Sequence, residues 1–119
     1  DRVSFEILLP HVIALPGRTP VNVNTASVQV LQSLGPNIDL GTAEGLVQMR
    51  ENGGFADYSG VFAPLVAPDL VPWISETSDF FQLKAVVQID TVRVSLFTVL
   101  HRNASNGVVA PILRSLGTI

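Results

Sequence analysis

Two hydrophobic periodicities follow one another along this chain. Through its first half, apolar residues recur three and four positions apart, the spacing that lines one stripe of a helix. Val28, Leu31 and Leu34 form one such stripe, and Gly35-Pro36-Asn37 stops it. Thr25 or Asn24 offers a side-chain oxygen to cap its first turn. Leu40, Ala43, Leu46 and Val47 predict a second helix, capped by Asp39 and running to Arg50. Asn52-Gly53-Gly54 ends it by admitting positive φ, and Phe55 follows as a core plug. Asp57 caps a third short helix through Tyr58, Val61, Phe62 and Leu65, cut off by Pro64 and Pro68. Ahead of these, Phe5, Leu8, Leu9, Val12 and Ile13 have helical spacing, but Pro10 and Pro16 keep any helix short.

Later in the chain the period becomes two. Phe81, Leu83, Ala85, Val87 and Ile89 fall on one face of a strand, with Gln82, Lys84 and Gln88 on the other. Asp90-Thr91 predicts a tight turn. The return strand places Val92, Val94, Leu96 and Leu100 together and turns Arg93, Ser95, Phe97, Val99 and His101 the other way. That second face is also partly apolar, so cover is expected on both sides. Residues 103–107, with Asn106-Gly107, form a hairpin turn. Val108 to Leu113 then predicts a shorter strand, placed at an edge because Pro111 cannot donate to a ladder. Pro72 and the polar run 75–79 mark a boundary. The expected organisation is a helical portion over 1–66, a linker over 67–78 and antiparallel strands over 79–119, an α+β fold.

Composition narrows the function classes. Of 119 residues, 47% are hydrophobic and only 14% charged, which excludes a disordered chain. It also predicts apolar surface that one small domain cannot hide, to be absorbed by an interface or by another part of the same protein. Net charge is −3 and the basic residues are scattered, so no stripe for nucleic acid or anionic lipid forms. The absence of cysteine excludes disulfides, thiolate catalysis and cysteine zinc sites. Ile7 to Leu15, broken by Pro10 and His11, is too short to span a bilayer. The abrupt start at Asp1-Arg2-Val3 reads as an excised fragment.

The stretch Thr19-Pro20-Val21-Asn22-Val23-Asn24-Thr25-Ala26, followed by Ala43 through Arg50 and then Gly54-Phe55, resembles two families. One is the K-type minor pseudopilin of type II secretion, or general secretion pathway protein K. The other is the helix-hairpin-helix module of DNA receptors. Ser78-Asp79-Phe80-Phe81-Gln82-Leu83-Lys84-Ala85, the hairpin ending in Leu100-His101-Arg102, and Pro111-Ile112-Leu113-Arg114 look like the last strands of the K-type pilin sheet and favour the first. The resemblance implies a small helix-hairpin-helix or SAM-like subdomain followed by antiparallel pilin-type strands. It implies a non-enzymatic subunit at the pseudopilus tip, partnered by I- and J-type minor pseudopilins. It further implies a periplasmic protein anchored in the inner membrane through an N-terminal helix that this chain does not include. Much of the apolar surplus would then be surface bared by truncation.

Candidate chemistry is sparse. A helix-hairpin-helix holds phosphate on backbone N–H groups, yet here the hairpin is Gly35-Pro36-Asn37-Ile38-Asp39, where Pro36 lacks a donor and Asp39 repels the ligand. Across 19–66, Asp39, Glu44, Glu51 and Asp57 stand against Arg50 alone, which opposes phosphate neutralisation. No nucleic-acid partner is therefore expected. His11 and His101 form no metal or catalytic motif, and Ser59 lacks a nucleophile-elbow frame. No cofactor is required; calcium is the single candidate, with Glu76 and Asp79 as ligands in the densest oxygen cluster. Trp73, Phe80, Phe81 and Phe97 are core residues or interface anchors. Asn22, Asn24 and Thr25 read as structural, fixing the helix that follows, as do Arg50, Gly54 and Phe55.

Overall fold

The computed structural model describes residues 1–118. The chain forms two compact units, Asp1–Thr77 and the segment from Ser78 onward. Short helices occupy the first and a three-stranded antiparallel sheet the second, the α+β arrangement expected.

In the first unit, helix α1 covers Arg2–Leu8 and passes into a 3-10 turn over Leu9–His11. Strand β1, Val21–Asn22, leads to α2 at Val28–Gln32, α3 at Leu40–Arg50 and α4 at Tyr58–Phe62. Asp39 and Asp57 cap α3 and α4, accepting from the N–H groups of Thr42 and Gly60 at 2.8 and 2.9 Å. The cap of α2 differs from expectation. Ser27, not Asn24 or Thr25, accepts from the Val30 N–H at 3.3 Å. The reason lies just upstream, where the Asn22 carbonyl accepts from the N–H groups of Thr25 and Ala26. That turn uses up residues 22–26 and delays the helix. Ala43 and Leu46 of the α3 stripe are buried, whereas Leu40, at the first position of the helix, is 55% exposed.

The segment expected as a linker is largely structured and belongs to the helical unit. A 3-10 turn at Val71–Trp73 leads into strand β2, Ile74–Ser75, which pairs in parallel with β1. Eleven buried apolar residues make one core, from Val23 and Leu31 through Leu46, Phe55 and Phe62 to Ile74. Phe55 meets Phe62 edge to face, with ring centroids 5.1 Å apart. Phe62 and Leu31 are among the largest fully buried side chains.

In the second unit β3 (Phe80–Ile89), β4 (Val92–Arg102) and β5 (Val109–Thr118) lie in that order, each antiparallel to its neighbour. Asp90 turns the first hairpin at φ 52, a left-handed conformation that Asp tolerates. Register sets Phe81 opposite Leu100, Leu83 opposite Thr98 and Val87 opposite Val94, so the predicted faces are the observed ones. Strand β5 is longer than expected. A register shift between its pairings with Val99 and Leu100 makes Leu113 and Pro111 successive partners and leaves Ile112 as an extra residue. The bulge carries the strand past Pro111 and lets pairing continue to Thr118.

Candidate functional site

The asparagine motif is a cross-brace of the helical unit. Asn22 accepts from the Asn24 N–H through Oδ1 at 2.9 Å, shaping an Asx turn. Asn24 then reaches two distant segments. Its Oδ1 accepts from the Phe55 N–H at 3.0 Å, and its Nδ2 donates to the Glu76 carbonyl at 3.2 Å. A Cβ on Gly54 would meet the Asn24 amide at 3.1 Å, and Gly54 holds φ 84, so a glycine suits both demands. Arg50, in the last turn of α3, donates through Nη1 to the carbonyls of Val23 and Ala26 at 2.9 and 2.6 Å. Asn22, Asn24, Arg50, Gly54 and Phe55 thus act together, tying the motif loop to the end of α3 and to β2. Thr25 is exposed, and its N–H closes the turn on Asn22.

The hairpin that a phosphate would need is closed. Gly35 is buried, and a Cβ there would lie 2.3 Å from the Leu65 carbonyl oxygen. The Ala67 N–H donates across this approach to the Leu34 carbonyl at 2.9 Å. Hydrogen bonds from Thr42, its backbone N–H foremost, hold Asp39 below its ordinary value. A fixed negative charge therefore stands at the hairpin. Both observations disfavour the DNA-binding reading.

The structure brings together one pair that the sequence leaves apart. His11 Nδ1 and Ser27 Oγ lie 2.9 Å from each other, partly buried. The same Ser27 oxygen accepts from the Val30 N–H, so the contact fastens the segment after α1 to the cap of α2. Sixteen residues separate the two, and no local signal announces the contact.

Glu76 is exposed, and Asp79 lies 3.8 Å from the Arg102 guanidinium. Among the described residues no group of three or more His, Asp or Glu side chains could hold a metal.

The aromatic candidates separate. In the helical unit Trp73 is 37% exposed, with the Arg18 guanidinium 5.7 Å from its ring. In the sheet, Phe80 stacks on His101 at 4.7 Å and Phe97 lies under Lys84, both rings on one face. Phe81 is on the opposite face beneath Arg102, whose Nη2 also donates to the Ser78 carbonyl at 2.8 Å. That opposite face is apolar and open. Leu83, Val87, Ile89, Val92 and Leu116 are each about half to three-quarters exposed upon it. Thr98, opposite Leu83 on this face, is buried, as are Ser95 and Val99 on the other, where Val86 and Leu113 are exposed.

These features define an α+β protein with a helical unit cross-braced by side-chain-to-backbone bonds and a sheet presenting an open apolar face. The family described as Type II secretion system (T2SS), protein K, matches residues 21–70, the stretch that contains the asparagine motif and α2 to α4. The type II secretion system protein K of Pseudomonas aeruginosa is 34% identical over 120 residues, spanning 98% of this chain. The chain belongs to the type II secretion system protein K family. It spans 35% of the length of that curated relative.

Proposed function

We propose that this chain is the C-terminal portion of a structural, non-enzymatic minor pseudopilin that serves protein export by type II secretion from the tip of the pseudopilus. The observation that carries the reading is that similarity to protein K runs through the helical unit and the sheet alike. The cross-brace fits it, because the motif residues are occupied in holding the fold. On this reading the open face around Phe81 and Leu83 is covered in the assembled subunit, where aromatic and aliphatic side chains supply contact energy.

The proposed partners are I- and J-type minor pseudopilins, and the proposed location is the periplasm, with anchorage in the inner membrane. No helix among the described residues is long and apolar enough to cross a membrane, so the anchor in this proposal lies outside the chain. The proposal requires no cofactor and keeps calcium as an optional ion, with Glu76 and Asp79 as its candidate ligands.

The test is co-purification of the full periplasmic region of the longer protein with its I- and J-type counterparts. The expected outcome is a complex that elutes as one species in size-exclusion chromatography. Separate elution of all components at micromolar concentration would overturn the proposal.

A further inference from the structure

Two Asn-Gly pairs stand in exposed turns, Asn52-Gly53 after α3 and Asn106-Gly107 between β4 and β5. In such a pair the main-chain nitrogen of the glycine can reach the asparagine side-chain carbonyl carbon, because no Cβ obstructs the approach. The two pairs are held differently. At the sheet, the Gly107 N–H donates to the Asn103 carbonyl at 2.8 Å, and Asn106 Oδ1 accepts from the Val108 N–H at 2.9 Å. Both reacting groups are engaged. After α3, among the described residues, neither the Asn52 side chain nor the Gly53 N–H takes part in a hydrogen bond. Gly53 and Gly54 hold φ 111 and 84, a two-glycine stretch with wide backbone freedom.

We propose that Asn52 is a site of spontaneous deamidation. The Gly53 nitrogen bonds to Asn52 Cγ, the side-chain nitrogen leaves as ammonia, and a succinimide ring forms. Water then opens the ring at either carbonyl, leaving aspartate or isoaspartate; no oxidant or reductant takes part. The product places a carboxylate beside Glu51 just past the C-terminal end of α3, where the helix dipole opposes negative charge. Isoaspartate also lengthens the main chain between Arg50 and Gly54, whose 2.8 Å bond closes that end. Phe55, next in the chain, is the residue that Asn24 holds. The modification therefore acts on the cross-brace and loosens it.

The test keeps the 119-residue chain in mildly alkaline buffer and, in parallel, in concentrated urea. Peptides containing Asn52 and Asn106 are quantified over time by mass spectrometry. In native buffer Asn52 is expected to convert several-fold faster than Asn106, with isoaspartate as the main product. In urea the two rates are expected to converge, because the contacts that restrain Asn106 are gone. Equal rates in native buffer, a faster Asn106 or an unconverted Asn52 would each overturn the proposal. So would an undiminished lead for Asn52 in urea.

Discussion

Replacing Arg50 by Met keeps most of the aliphatic stem and removes the guanidinium that joins α3 to the motif loop. Two carbonyls lose their donor, those of Val23, whose residue is fully buried, and of Ala26, at 9% exposure. A hydrogen bond from a charged group contributes about 1.5–3 kcal/mol, and an abandoned buried acceptor costs a similar amount. Arg50 is itself only half-buried, so water can reach part of the vacated space and reduces the loss. The expected destabilisation is about 2–4 kcal/mol for the pair of bonds. That is a large fraction of what so small a unit can hold.

Arg50→Lys retains a charge but presents one compact ammonium in place of a planar fork, and should fall between wild type and Arg50→Met. Urea unfolding followed by Trp73 fluorescence measures this directly, because Trp73 is the sole tryptophan and lies in the helical unit. Midpoints of both variants indistinguishable from wild type, with unchanged slopes, would refute the idea that Arg50 is a brace.

Asn24→Asp keeps the acceptor for the Phe55 N–H but turns an oxygen toward the Glu76 carbonyl; a loss of about 1–2 kcal/mol in the same urea assay is expected. Gly35→Ala forces a Cβ against the Leu65 carbonyl oxygen, and a thermal melt should show destabilisation of about 1–3 kcal/mol. Asp39 is lowered by its bonds from Thr42, so its stabilising effect is complete above its unfolded value and lost as pH falls through the lower folded one. An acid titration followed by far-ultraviolet circular dichroism should therefore show a shallower decline for Asp39→Asn than for wild type, and identical profiles would remove Asp39 from the account. Phe62→Ala vacates a fully buried ring in contact with Phe55 and should cost about 3–5 kcal/mol, measured by the same fluorescence unfolding.

The sequence by itself determined what depends on near neighbours. The helical stripes, the Asp39 and Asp57 caps, the two faces of the β3–β4 hairpin and its Asp90 turn are written within a few residues of where they act. Even so, Ser27 displaced the expected caps because a turn on Asn22 took precedence locally. The tertiary structure decided what depends on residues far apart. Asn24 meets a carbonyl 52 positions away, Arg50 reaches back 27 positions to Val23, and His11 finds Ser27. It drew Ile74 into the core from a stretch that reads as linker, and a bulge carried β5 past a proline that reads as its limit. Periodicity and capping arise from bonding between adjacent turns, so a short window contains them. A buried carbonyl takes whichever donor the fold brings near, and no local spacing encodes which one that is.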